Sequence, residues 1–300
     1  MPHPEHSPAR WLRERLRAGG LLIAPGVFDG LSARIAAEAG FEALYASGGA
    51  IARSVGLPDL GLLGLPEVLA RVREITDATP LPVIADADAG YGNALNVFRT
   101  VREFERAGVA ALHLEDQVTP KKCGHYAGKH LVSTDEFVGK LRAALDARRD
   151  PDLVIIARTD ARAVLGLDAA IERANRYAEA GADVLFVEAP ESEGELERIA
   201  RAVRAPLLVN MFAGGRTPLV APARLEAMGY RIMIVPSDLQ RAAIAAMQEA
   251  AALVRATGTA TGMGDRLASF VERDRLVDLA AWEERERRYG AMPAREEAGR

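Results

Sequence analysis

The stretch AEAGADVLFVEA (178–189) decides the fold. Its first half reads as the end of a helix. Gly181 then stands where a helix C-cap residue must take positive φ. An apolar run, Val184 to Val187, follows and delivers an acid, Glu188. The same grammar returns in AEAGFEALYASG (37–48) and ERAGVAALHLED (105–116), and closely in EAMGYRIMIVP (226–236). Each run is apolar at successive positions instead of alternating. Such a strand is buried on both faces, as in a parallel sheet.

Working outward, eight segments fit this plan: 21–25, 43–47, 83–86, 111–115, 154–158, 184–188, 207–211 and 232–236. Amphipathic helical segments separate them, at 32–39, 66–78, 94–107, 134–148, 167–180, 192–203 and 222–228. Start signals support several: Asn93, Ser133-Thr134 with Glu136 behind, and Pro222. Eight alternating units predict an α/β fold of the (β/α)8 TIM-barrel type. A doubly wound sheet is the competitor, but its first turn should be glycine-rich, and here that turn reads APGVFDG (24–30). We expect a single barrel domain over 1–300, with the barrel at about 20–240 and a helical extension at about 241–290. The extension reads as helices at 237–258 and 265–289. The first is apolar around much of its circumference, as expected of packing against another subunit or over the barrel bottom. The tail MPAREEAGR (292–300) is expected to fray.

Composition narrows the function. The chain has 300 residues, 49% apolar and 27% charged, with a formal net charge of −4. No basic field argues for nucleic acid, and no apolar run approaches the ~20 residues that span a bilayer. The N-terminal segment has arginines but no apolar core of a secretory signal. The single cysteine, Cys123, excludes an internal disulfide framework and fits a reducing, cytoplasmic setting.

Barrel enzymes build their sites where strands end. Those ends carry Asp29, Tyr45, Ser47-Gly48-Gly49, Asp86 and Asp88, His113, Glu115 and Asp116, Arg158-Thr159-Asp160, Glu188 and Asn210. One Asp after a strand is ordinarily a helix cap. Several carboxylates at one mouth, with an Arg and an Asn, instead call for a cation. Oxygen ligands point to Mg²⁺ or Mn²⁺, and there are too few Cys and His for zinc.

The motifs SGG (47–49), GLPD (56–59), DADAGYG (86–92), LEDQ (114–117), KKCGH (121–125), ARTDA (157–161) and NMFAGGRTP (210–218) occur in this order. Over about 21–240 the chain thereby resembles the isocitrate lyase / phosphoenolpyruvate mutase superfamily. KKCGH resembles its carbon–carbon lyase branch, that of the 2-methylisocitrate and 2,3-dimethylmalate lyases. The resemblance implies Mg²⁺-dependent retro-Claisen cleavage of a 2-hydroxy di- or tricarboxylate to a 2-oxo acid and a shorter carboxylate. It implies Asp86 and Asp88 at the metal, with Asp59 and Glu115 holding its waters. Ser47, Gly48, Gly49 and Arg158 would bind the 2-oxo-acid half. His125, Glu188 and Asn210 would line the other half, with Gly124 in the binding loop. Cys123 would protonate the carbanion, and Tyr45 would be a base or an orienter. It also implies a homo-oligomer, dimer or tetramer, with C-terminal helices exchanged between subunits.

The chemistry is consistent with these residue types. Cleaving C2–C3 of a 2-hydroxy acid builds negative charge on oxygen, which a divalent ion and a bidentate Arg stabilise. A thiol is a workable proton donor, and nearby lysines and His would favour thiolate once the proton leaves. The segment between the fourth strand and the helix at 134 is longer than an ordinary βα link. Its Lys121, Lys122, Gly124, Gly128 and Lys129 suit a mobile lid that closes on a polyanion. Two positions depart from the methylisocitrate lyase pattern: Tyr126 replaces an Arg after CGH, and Ala213 replaces a Glu. One cationic contact fewer fits a substrate with one carboxylate fewer. The alternatives on the same fold are an oxaloacetate decarboxylase or hydrolase, a carboxyphosphonoenolpyruvate phosphonomutase and a non-catalytic oxo-acid-binding barrel.

Overall fold

Gly40, Gly108, Gly181 and Gly229 all take positive φ (87°, 80°, 105° and 105°), and after each the chain enters a strand. In the computed structural model, which describes residues 7–290, the strands are β1 (Leu22–Val27), β2 (Leu44–Ala46), β3 (Val83–Asp86), β4 (Ala111–Glu115), β5 (Val154–Thr159), β6 (Val184–Val187), β7 (Leu207–Asn210) and β8 (Tyr230–Val235). All neighbours pair parallel, and β8 returns to β1 to close the barrel. The doubly wound alternative is thereby excluded. The tail MPAREEAGR lies outside the described residues.

Thirteen α-helices accompany the strands among the described residues. The first unit of the chain, up to Ala243, holds α1 (Pro8–Ala18), α2 (Gly30–Glu38), α3 (Gly48–Ser54), α4 (Leu65–Ala78), α5 (Ala94–Arg106), α6 (Thr134–Ala147), α7 (Ala161–Leu165), α8 (Leu167–Glu179), α9 (Glu193–Ala202) and α10 (Pro222–Met228). α11 (Asp238–Thr257) begins there and runs into a second unit, from Ile244 onward, with α12 (Phe270–Leu276) and α13 (Leu279–Gly290). The helix expected over 265–289 is therefore broken. Ser269 caps α12 through the Glu272 amide, and Asp278 turns the chain at φ 57° before α13. Phe270, Val271, Trp282 and Tyr289 of this second unit are exposed. No helix among the described residues is long and apolar enough to cross a membrane.

Two apolar clusters follow from the alternation of side chains along the strands. One lies between strands and helices and includes Leu44, Val83, Leu112, Ile155, Leu185 and Val209. The other fills the barrel and includes Leu22, Ala24, Ile84, Val154, Ile156, Val184, Phe186, Ile232 and Ile234. α1, which the sequence pattern did not announce, closes the end of the barrel where strands begin. Its Ala9 and Leu12 join the inner cluster. Arg13 donates to the carbonyls of Asp152 and Leu153 and to the Asp183 carboxylate.

Leu12 is fully buried, so Leu12→Ala should cost about 2–5 kcal/mol of stability, measured by urea unfolding. A loss below about 0.5 kcal/mol would show that α1 is not part of the core.

Candidate active site

Strand register brings the polar strand ends into contact. Asp86 pairs with His113 across β3–β4, and Glu115 pairs with Arg158 across β4–β5. Tyr45, at the middle of β2, shares a 2.8 Å hydrogen bond with His113 Nε2 and reaches Asp86 Oδ2 at 3.4 Å. Burial pushes His113 down to about 4 and Tyr45 well above its ordinary range, with Asp86 adding to the latter. At neutral pH both are uncharged. A neutral Tyr45 can donate or orient, and the hydrogen bond couples its hydroxyl to the His113 ring for proton exchange. His113 stood among the strand-end residues in the sequence, but nothing there marked it as the partner of Tyr45.

Beside this pair lie the carboxylates assigned to a metal. The Asp88 amide donates to Asp86 Oδ1 (3.0 Å), which requires φ 48° at Asp88. Lys121 Nζ lies 2.5 Å from Asp59 Oδ1 and 2.8 Å from Asp88 Oδ1. Burial opposes the charge on Asp86, yet His113, Lys121 and Arg158 bring it down to about 2; Asp88 is pushed up by burial to about 6. Burial also drives Glu115 well above the usual carboxylate range, against the pull of Arg158. Among the described residues, no group of three or more His, Cys, Asp or Glu forms a preformed metal cage. The donor set nevertheless fits a hydrated hard cation. Glu115 Oε1 is buried without a hydrogen-bond donor, Asp88 Oδ1 has only Lys121 Nζ beside it, and Mg²⁺ is commonly held by one or two carboxylates and several waters.

Ser47, Gly48 and Gly49 open α3, a helix the sequence did not announce. The Ser47 hydroxyl accepts from the Ala50 amide at 3.3 Å and caps it. A Cβ at Gly48 would come within 2.7 Å of Asp86 Oδ2, and one at Gly49 within 2.8 Å of Asp59 Oδ2. The backbone thus passes directly against two of the carboxylates. Asp29, by contrast, is an ordinary helix cap, in a reciprocal box with Ser32.

On the far side, Arg158 forms a two-pronged bond to Asp160 (2.9 and 3.1 Å) and also faces Glu115 at 3.3 Å and Glu188 at 3.8 Å. Glu188 accepts from Asn210 Nδ2 at 3.3 Å and stands 3.1 Å from His125 Nε2. His125 Nδ1 accepts from the Arg216 amide, and its ring meets Phe212 edge-on at 4.7 Å. Phe212, not Ala213, is therefore the residue of the β7 loop that reaches this half. Ala213 is exposed, and so is Tyr126 at the apex of its loop, 46% accessible.

The segment 117–133 carries Cys123 between these halves. It is tied at its base by a Gln117–Leu131 bridge and by the Gln117 side chain, which bonds the Lys122 backbone at both ends. The Cys123 amide donates to the Asp59 carbonyl (3.1 Å). A Cβ on Gly124 would lie 2.5 Å from Arg158 Nη2 and 2.6 Å from Glu188 Cγ, so only glycine allows this approach. The lysines do not act as the sequence implied. Lys121 and Lys129 are buried and spent on carboxylates of the protein itself. Burial first, and then Asp59, push the Cys123 thiol up to about 11; the flanking lysines do not favour its thiolate.

Comparison with known proteins places this geometry. The phosphoenolpyruvate phosphomutase family model matches residues 12–255. The 2,3-dimethylmalate lyase of Eubacterium barkeri is 47% identical over 93% of this chain and 96% of its own length. The 2-methylisocitrate lyase of Aeropyrum pernix is 45% identical over 94% and 91%. Among solved structures, oxaloacetate acetylhydrolase in complex with the inhibitor 3,3-difluorooxalacetate superposes with a TM-score of 0.90, at 38% identity over 95% and 97% of the two chains. Phosphonopyruvate hydrolase in complex with oxalate and Mg²⁺ gives 0.86, at 32% identity over 95% and 99%.

The thiol direction is directly measurable. In metal-free protein, the pH dependence of the rate at which iodoacetamide alkylates Cys123, the only cysteine, should report the thiolate with a midpoint near 11, the thiol form persisting through neutral pH. A midpoint near the ordinary ~8.5 would show that the loop does not bury Cys123 against Asp59.

Proposed function

The chain belongs to the phosphoenolpyruvate phosphomutase family, and on that premise we propose that it is a Mg²⁺-dependent carbon–carbon lyase cleaving a 2-hydroxy dicarboxylate to a 2-oxo acid and a shorter carboxylate. The observation that carries this reading is Cys123. Its thiol is held protonated at neutral pH, as a proton donor to a carbanion must be, and the next residue, Gly124, passes closely against Arg158 and Glu188.

In this reading Arg158 and the backbone at Ser47, Gly48 and Gly49 grip the carboxylate of the 2-oxo-acid half. The 2-hydroxyl gives its proton to the Tyr45–His113 pair. The C2–C3 bonding electrons move to C3 as the C2 carbonyl forms. Cys123 then supplies a proton to C3 and is left as a thiolate; after product release it regains a proton from solvent while the Tyr45–His113 pair gives its extra proton up to solvent, restoring both groups. Asp59, Asp86, Asp88 and Glu115 would hold Mg²⁺ or Mn²⁺, which supplies Lewis-acid stabilisation of charge on oxygen. The Mg²⁺ and oxalate of the phosphonopyruvate hydrolase complex support that assignment.

The distal half favours a dicarboxylate. His125, Glu188 and Asn210 line it with Phe212 as an apolar wall, and Lys129, the buried lysine of the neighbouring loop, is paired with Asp160. An alkyl-substituted malate fits such a half better than a further carboxylate. A second reading, cleavage of oxaloacetate, draws on the likeness to oxaloacetate acetylhydrolase. The lone free thiol fits a cytoplasmic enzyme, and the exposed apolar residues of the second unit support a homo-oligomer, a dimer or tetramer.

With Mg²⁺ present, kcat/KM on 2,3-dimethylmalate should exceed that on 2-methylisocitrate by about tenfold or more. A preference for the tricarboxylate would overturn the dicarboxylate assignment, and a preference for oxaloacetate would establish the second reading.

Cys123→Ser should lower kcat by about 10²–10⁴-fold while leaving oxo-acid binding intact. Full activity in this variant would remove Cys123 from the donor role.

A further inference from the structure

Lys129 sits in the Cys123 loop, yet its side chain is 1% accessible. Its ammonium donates to Asp160 Oδ1 at 2.7 Å and to the carbonyl of Gly124. One buried cation therefore joins two points of the same loop, residues 124 and 129, to the end of β5.

The anchor is rigid. Asp160 is fully buried and accepts the two-pronged bond from Arg158. Its amide donates to Asp116 Oδ1 at 2.9 Å. Asp116 Oδ2 in turn accepts from Thr159, Tyr177 and Arg173 at 2.7, 2.9 and 3.0 Å. These groups belong to β5, α8 and the end of β4, none of them in the loop. Burying an ammonium costs several kcal/mol before its partners repay it. Arg158 is shared among Asp160, Glu115 and Glu188, so Lys129 completes the charge on Asp160. What Lys129 adds beyond charge is position. It draws the Gly124 carbonyl toward β5, and Gly124 is the residue that only just clears Arg158 and Glu188.

We propose that Lys129 is a positioning residue: its ammonium, clamped between Asp160 and the Gly124 carbonyl, fixes the Cys123–His125 segment against Arg158 and Glu188. Cys123 is the only cysteine, so thiol chemistry on the whole protein reports this segment alone. What the fixed thiol is for rests on the lyase reading; that it is fixed does not.

The test is iodoacetamide labelling of the full chain at pH 8, in parallel with steady-state kinetics. Lys129→Met should label Cys123 at least tenfold faster than the native protein, with unchanged far-UV circular dichroism. Its kcat should fall at least 100-fold with KM within about threefold. Lys129→Ala should recover part of the lost kcat, and of the slow labelling, when methylammonium is added. A native labelling rate in Lys129→Met would overturn the clamp, whatever the activity. Should Lys129→Met not fold, Lys129→Gln, which removes the charge and shortens the reach while keeping a polar tip, is held to the same labelling criterion. Faster labelling without any detectable lyase activity in the native protein would uphold the clamp and overturn the lyase reading instead.

Discussion

Seven carboxylates, those of Asp59, Asp86, Asp88, Glu115, Asp116, Asp160 and Glu188, stand in or beside one barrel mouth, and all but Asp88 are buried. An ionised carboxylate left unpaired in such a place costs several kcal/mol, so each must be matched or protonated. Three devices do this. Lys121 and Lys129 pair with Asp59, Asp88 and Asp160, and Arg158 faces Asp160 and Glu188 and favours the charge on Asp86. Asp116 is met by hydroxyl, guanidinium and amide donors. Glu115 and Asp88 have their carboxyls raised toward the neutral form. Two of the neutralising cations arrive on the 117–133 loop. The cluster therefore holds the loop down, and the loop keeps the cluster from repelling itself.

This dependence separates what the sequence disclosed from what it did not. The barrel was legible because its signals are local. A helix end, a glycine that must take positive φ and a doubly buried strand recur within a dozen residues, and the structure shows them at Gly40, Gly108, Gly181 and Gly229. α3 was hidden because it opens on two glycines, which disfavour helix, and is held by the Ser47 cap. α7 is five residues long, too short for a periodicity to register. The break before α13 depends on Asp278 in a conformation that few non-glycine residues take, and no pattern of apolar spacing reports it.

The candidate site was legible to the depth of the strand-end rule. Tyr45, Asp86, Asp88, Glu115, Arg158, Glu188 and Asn210 gather at one mouth because strands of a closed barrel end together. The pairing of charges was not legible. Lysines in a glycine-containing segment read as an exposed, anion-seeking lid, since lysine is rarely buried. Only the third dimension shows that an excess of buried carboxylate lies within reach of both. Phe212 escaped notice for a related reason. Its place against His125 depends on how the β7 loop crosses the 117–133 loop, a contact 87 residues apart in the chain.

The same excess of negative charge decides what chemistry Cys123 can carry. A cysteine nucleophile needs cations or a helix N-terminus to depress its pKa. Here the lysines on either side are turned away and bound, and the nearest charged influence is Asp59, whose own carbonyl anchors the Cys123 amide. Burial and that carboxylate keep the proton on sulfur. A thiol in this state is a poor nucleophile and a competent donor to a carbanion, whose conjugate acid is far weaker still. The carboxylates that demand cations of the loop are thus also the groups that set the direction in which its thiol can move a proton.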